Sequence, residues 1–417
     1  MAKGKVCLAY SGGLDTSCIL RWLMEEGYEV VCFLANVGQE EDWAAVEAKA
    51  LKIGAVKMVI EDLQKEFVED LCFRAVQCNA IYEGRYLLGT SLARPVIARA
   101  QMKVAIQEGC DFVSHGCTGK GNDQVRFELA FLTIQPSIKI IAPWRDPKFF
   151  DRFQGRNDLL DYAEKTGLPV TSTKAKPWSM DANLAHISYE AGVLEDPDHT
   201  PDDDMWLMTD DPVKAPNEPE DVNVYFEKGV PTKVKTLKDG KEYTDSVELF
   251  TLLNKIGKLH GIGRVDIVEN RFIGLKSRGC YESPAMTVLR WAHLDLEGLV
   301  MDAQVRSLRD QFVTHKWSEF LYNGMYFSPE REFVENSLVF AQKRVNGMVR
   351  LRLYKGNVFV LGRSSETEKL YSEEEASMDS LDNFSPEDTT GFIGICSIRL
   401  KKYGLQKIEE GGLAGSK

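Results

Sequence analysis

The first third of the chain alternates short β-branched runs with segments whose apolar residues recur every three to four positions. That alternation is the signature of a parallel sheet covered by helices. Candidate strands are 5–9, 29–35, 57–61, 112–115 and 139–142, and helical patterns lie between them at 16–26, 40–53, 64–76 and 92–108. The expected fold class is α/β with a doubly wound parallel sheet, in which ligands sit beyond the carboxyl ends of the strands.

The texture changes after Leu168-Pro169. Residues 195–221 are rich in Pro and Asp and are expected to form an exposed acidic loop. A hairpin is expected around Asp239-Gly240, a helix at 246–260, longer helical patterns at 284–323 and 329–345, and a second hairpin turning at Lys355-Gly356-Asn357. Residues 364–388 are acidic and weakly patterned, and an amphipathic C-terminal helix is expected from near Thr390. The second half therefore reads as α+β. A chain of 417 residues with 44% hydrophobic residues can fill two domains rather than one.

Lys and Arg number 51 against 63 Asp and Glu, a net charge of -12, which disfavours a broad nucleic-acid surface. The start of the chain lacks the apolar core and cleavage site of a secretory leader, and no stretch approaches the length of a membrane span. Nine scattered cysteines without a C-x-x-C pair fit a reduced, cytoplasmic setting. His186, His199, His260, His293 and His315 show no metal spacing.

The run Ala9-Tyr10-Ser11-Gly12-Gly13-Leu14-Asp15-Thr16-Ser17 follows an apolar strand and opens a helix. Its backbone N–H groups can converge on an anion at the helix N-terminus, and glycines let the chain approach phosphate oxygens closely. It is neither G-x-x-x-x-G-K-[ST] nor G-x-G-x-x-G, since no lysine follows the glycines. Asp15 beside a polyphosphate implies Mg²⁺ between them. A plain helix cap at Asp15 or Thr16, worth about 1 kcal/mol, is the other reading of the same residues.

A second polar loop carries Thr118, Gly119, Lys120, Gly121, Asn122, Asp123 and Arg126 after the strand ending at His115. Arg126 can grip a carboxylate through two hydrogen bonds and Asp123 can accept from an ammonium, which suits an amino acid. The alternative is a solvated turn with a surface ion pair worth at most about 1 kcal/mol. His115 can assist a nucleotide or serve as a satisfied structural histidine.

S-G-G-L-D-T-S resembles the pyrophosphatase loop of N-type ATP pyrophosphatases. Four further stretches resemble the argininosuccinate synthetases: Arg85 to Pro95, His115 to Glu128, Pro177-Trp178-Ser179-Met180-Asp181 and Ile267-Val268-Glu269-Asn270-Arg271. Thr-Gly-Lys-Gly-Asn-Asp-Gln-Val-Arg-Phe-Glu is the most specific. That resemblance implies an adenine nucleotide alpha hydrolase-like domain at 1–168, a synthetase domain at 169–388 and a C-terminal oligomerisation helix at 389–417. It also implies ligation of citrulline to aspartate through a citrullyl-adenylate, with release of AMP and pyrophosphate.

By the same resemblance, Ala9 to Ser17, Ala35 and the stretch Ser114, His115, Gly116, Cys117, Thr118, Gly119, Lys120, Gly121 and Asn122 line an ATP site. Tyr86, Ser91, Asn122, Arg126, Ser179, Ser188, Glu269 and Tyr281 would hold citrulline, and Thr118, Asn122 and Asp123 would hold aspartate. Asp15 and Asp123 are the candidate catalytic carboxylates, Mg²⁺ is carried mainly by the ATP phosphates, and the assembly is a homotetramer. Cys117 departs from the family, which more often has Ala there. A tRNA thiolase would need paired cysteines and a basic face, and a glutamine-dependent relative a nucleophilic cysteine domain; neither is visible. A nucleotide-binding module without turnover would leave the two amino-acid loops without purpose.

Overall fold

The computed structural model describes residues 3–119, 121–169, 177–377 and 385–412. A five-stranded sheet runs β3-β2-β1-β4-β5, all parallel, with β1 Lys5–Ala9, β2 Glu29–Asn36, β3 Lys57–Asp62, β4 Phe112–Ser114 and β5 Lys139–Ile141. Each expected strand is present to within a residue.

Strand periodicity explains why these runs are apolar throughout: successive side chains point to opposite faces, and both faces are covered. Val6, Leu8, Val30 and Cys32 enter one core with helices α1 (Leu14–Glu25), α2 (Trp43–Ile53) and the later helix Arg156–Thr166. Cys7, Val31 and Phe33 enter the other, with helix α3 (Gly89–Gln107). Because β1 pairs with β2 on one side and β4 on the other, the strand order reverses there. The loops leaving β1 and β4 therefore share the crevice at the carboxyl edge.

Two antiparallel sheets follow. In β11-β12-β7-β6, the strands are β6 Ser179–Asn183, β7 His186–Glu190, β11 Arg264–Asn270 and β12 Lys276–Glu282. The periodicity of these segments had suggested no strands. The turn between β6 and β7 is tied to the first sheet: Leu184 N–H donates to the Val37 carbonyl at 2.7 Å, and Asn183 donates to the Gly89 carbonyl at 3.1 Å. Gly38, at φ +93°, leaves room for this approach, since a Cβ there would stand 2.7 Å from Leu184 Cβ. The third sheet has the strand order Glu242–Tyr243, Val230–Thr236, Glu220–Glu227, Gly347–Tyr354, Asn357–Ser364 and contains both expected hairpins.

Two expectations change. The Pro- and Asp-rich stretch is not wholly exposed: Met205, Thr209 and Ala215 are buried, and Leu207 and Met208 donate their N–H groups to buried Glu282 at 3.0 and 3.1 Å. A buried carboxylate needs such donors, and the loop supplies them. The helical pattern at 284–323 is interrupted: Pro284–Val300 ends, Asp302 caps a new start at Ala303, and a π-helical turn, Arg309–Thr314, precedes His315–Tyr322.

Residues Met1–Glu368 form one compact unit and Lys369–Lys417 a second. The second contains a helix, Pro386–Glu409, capped by Ser385, whose hydroxyl accepts from Glu387 N–H. It exposes Phe392, Ile393, Ile395, Ile398, Leu400, Tyr403, Leu405 and Ile408. Among the described residues no helix is long and apolar enough to cross a membrane, and all nine cysteines are unpaired.

Candidate functional site

The loop leaving β1 turns at Gly12, φ +77°, and hands over to α1 at Gly13, which caps the helix without a side chain. First-turn N–H groups of a helix lack intrahelical partners, so this end is available to an anion. Hydroxyls surround it: Ser11 Oγ lies 3.1 Å from Thr16 Oγ1, and Tyr10 OH 3.2 Å from Ser17 Oγ. Asp15 is half-buried in the first turn; burial raises the pKa of its carboxyl, opposed by its own backbone N–H and by Arg156. Ala35 is buried at the end of β2, where its carbonyl accepts from Gln39 at 2.7 Å.

The loop leaving β4 abuts the first. A Cβ on Gly116 would meet the Thr16 methyl at 3.1 Å, so the backbone of this loop packs against side chains of the first turn of α1. Ser114 is fully buried and its carbonyl accepts from Gln101. His115 is a satisfied structural histidine: Nδ1 accepts Cys117 N–H at 3.3 Å, which leaves Nε2 to donate to Glu128 at 2.9 Å. Burial pushes the Cys117 thiol far above its usual value, so it stays protonated and unreactive. Lys120 lies outside the described residues, while Gly119 and Thr118 are exposed.

Beyond Gly116 opens a cleft of about 270 Å³. Tyr86, Asn122, Asp123, Arg126, Ser188, Glu269 and Tyr281 line it together with Thr118. These come from widely separated segments, brought together because the β6–β7 turn is anchored over the first sheet. Ser91, buried with its hydroxyl unpartnered, and Ser179, exposed at the start of β6, are not among the lining residues.

Two features mark the wall of the cleft. Glu269 is 5% exposed; its Oε1 accepts from Tyr281 OH at 3.1 Å and Tyr322 OH at 2.9 Å, whereas Oε2 is buried with no partner. Burial raises its pKa despite those bonds. An unpaired buried carboxylate oxygen is costly, and a ligand N–H would relieve it. Tyr86 stacks on Tyr281, centroids 4.1 Å apart, and forms an aromatic wall beside it.

Asp123 is the centre of charge. Its oxygens accept from Arg94 at 2.7 Å and Arg126 at 3.0 Å, and Arg94 also donates to Asp181 at 2.6 Å. Burial alone would raise its pKa, but the two guanidinium groups outweigh it and hold the carboxyl well below the usual range. Asp123 is thus a fixed negative charge and a poor proton acceptor. Arg126 gives its Nε–H to the Tyr322 carbonyl and one Nη1–H to Asp123, so three of its five N–H groups remain, both of those on Nη2 among them.

Sequence reasoning missed Arg94, Asp181, Glu190 and Arg271. Arg94, Asp181 and Arg271 fell inside recognised motifs, but a charged residue on a helix or strand carries no local mark of which charges it will meet. Glu190, paired with Arg271, has its pKa raised by burial and by Asp123 and Asp181.

A model described as the arginosuccinate synthase N-terminal HUP domain matches residues 5–169, and one described as the arginosuccinate synthase C-terminal domain matches residues 178–403. The argininosuccinate synthase of Saccharomyces cerevisiae is 60% identical over 416 residues, 99% of each chain. That of Schizosaccharomyces pombe is 59% identical, covering 94% of this chain and 96% of its own. That of Thermotoga maritima is 52% identical, covering 97% and 98%. With both family models matched and near-complete coverage by such relatives, the chain belongs to the argininosuccinate synthase family.

Proposed function

We propose that the glycine loop and the adjoining cleft form one active site, in which ATP lies on the loop and citrulline and aspartate lie in the cleft. The chain is an ATP-using ligase that joins L-citrulline to L-aspartate through a citrullyl-adenylate, releasing AMP and pyrophosphate. The observation that carries the placement is Glu269, a residue of the cleft wall whose Oε2 is buried without a partner.

Citrulline fits against the Tyr86–Tyr281 wall, with its N–H groups on Glu269 Oε2 and its carboxylate reached by the remaining Arg126 N–H groups, Asn122 and the Ser188 hydroxyl. Ser91 and Ser179 belong to its outer surroundings. Aspartate sits between Thr118, Asn122 and Asp123, whose fixed charge holds the ammonium. The ureido oxygen attacks the α-phosphorus and pyrophosphate leaves toward the loop N–H groups; the aspartate ammonium gives up a proton to a phosphate oxygen or water, and the neutral amine then displaces AMP. Alignment of three ligands can supply about 7–11 kcal/mol of the barrier, and donors aimed at the growing phosphate charge supply more.

Among the described residues no group of three or more His, Cys, Asp or Glu could cage a metal. Asp15 is the carboxylate beside the loop, so the donor set fits Mg²⁺ brought in by the ATP phosphates. Functionally, residues 1–168 hold nucleotide, 169–388 close the amino-acid cleft and 389–417 serve assembly. The apolar side chains on Pro386–Glu409 support docking on another copy, in a homotetramer. Light scattering of a chain cut at Asp388 checks this, and an unchanged oligomer would count against it. Nine unpaired cysteines support a cytoplasmic location.

Purified protein given Mg-ATP, citrulline and aspartate, with each omitted in turn, tests the placement. Wild type should release pyrophosphate only with citrulline, and E269Q should need far more citrulline to do so. Pyrophosphate release indifferent to citrulline would sink the assignment.

A further inference from the structure

The glycine loop lacks the lysine that holds the outer phosphates in P-loop enzymes. Helix α2 packs directly on the loop: a Cβ added to Gly12 would meet Val46 at 3.1 Å. Three residues further along the same face, Lys49 extends its ammonium to the Gly12 carbonyl at 2.5 Å. Among the described residues Lys49 has no carboxylate within ion-pair distance. It is half-buried, and burial lowers its pKa, opposed by Cys18 and by the more distant Glu41.

We propose that Lys49 is the phosphate-binding lysine of this loop, supplied from α2 rather than from the loop itself, and that it contacts the pyrophosphate portion of ATP. An ammonium has three donors, of which the Gly12 carbonyl takes one, so two remain for phosphate oxygens. No carboxylate forms an ion pair with it among the described residues, and it lies beside the N-terminus of α1, which itself favours an anion. As pyrophosphate departs, the negative charge that grows on it is met by Lys49 and by the loop N–H groups together. The contact moves no proton and breaks no bond.

The inference rests on the glycine loop being the ATP site, and the test separates the two. Full-length wild type, K49M and K49R are titrated with magnesium pyrophosphate and, separately, with AMP, which lacks the outer phosphates. Wild type should bind both. K49M, which keeps the length of the stem and drops the charge, should bind pyrophosphate about 10- to 100-fold more weakly, the range of a charge-assisted hydrogen bond. AMP binding should change less than threefold, and K49R should recover most of the pyrophosphate affinity. If Lys49 merely tethers the loop, K49M will lose AMP and pyrophosphate alike, and the proposal is overturned. Equal pyrophosphate affinity in K49M and wild type also overturns it. A wild type that binds no pyrophosphate would instead remove the ATP site from this loop. Should K49M melt too low to titrate, K49Q is measured in its place under the same criteria.

Discussion

Replacing Asp123 by Asn removes one negative charge from a cluster that holds two guanidinium groups. Arg94 and Arg126 reach Asp123 at 2.7 and 3.0 Å, with side-chain exposures of 13% and 7% against 30% for Asp123. Removing one partner of a fully buried pair costs roughly 3–5 kcal/mol. Here the carboxylate faces an open cleft and Arg94 keeps Asp181 at 2.6 Å, so the cost scales down to about 2 kcal/mol. For a chain of this size that lowers the melting temperature by about 2–4 °C. Losing a charge-assisted contact to the aspartate ammonium lowers kcat/KM for aspartate by about 10- to 100-fold. Initial rates at varied aspartate, with citrulline and ATP saturating, read the second effect, and differential scanning fluorimetry the first. D123N with wild-type aspartate kinetics would refute the role given to the carboxylate, and an unchanged or higher melting temperature would refute the ion-pair reasoning.

Glu269→Gln turns the orphaned acceptor into a donor, and KM for citrulline should rise about 10- to 100-fold; an unchanged KM in initial-rate assays would contradict the placement of citrulline. His186 is fully buried and its pKa is lowered to about 3, first by burial and then by Arg94. A depressed histidine keeps its full stabilising effect above its unfolded value near 6.5 and loses it as pH falls toward 3, at about 1.4 kcal/mol per pH unit. Melting curves between pH 6.5 and 4 should therefore fall less steeply for H186Q than for wild type, and parallel slopes would count against it. Gly89→Ala would place a Cβ 2.1 Å from the His186 ring; overpacking of this kind costs about 1–3 kcal/mol, so a thermal melt matching wild type would show that the hairpin is less firmly seated.

Much of the first domain was legible in the sequence because burial on both faces makes parallel strands continuous apolar runs, and Val6, Cys7 and Leu8 show that directly. The glycine turn was legible for the same kind of reason, since Gly12 adopts a backbone conformation that other residues resist. Strands β6, β7, β11 and β12 were not, because Ser188, Glu190, Glu269 and Tyr281 serve the cleft and break the alternation that marks a strand. Family likeness supplied Glu269 and Tyr281; no local pattern would have. Lys49 shows the complementary limit: a lysine on an amphipathic helix looks solvated until the helix is packed against the turn.

The central claim is that citrulline is activated through its ureido oxygen in this cleft. Citrulline labelled with ¹⁸O at the ureido position, turned over with Mg-ATP and aspartate, tests it by mass spectrometry of the products. The label should appear in the phosphate of AMP, one atom per argininosuccinate formed, because the bond broken last joins the citrulline carbon to that oxygen. Unlabelled AMP, with the isotope retained in the amino-acid product or lost to water, would contradict the account.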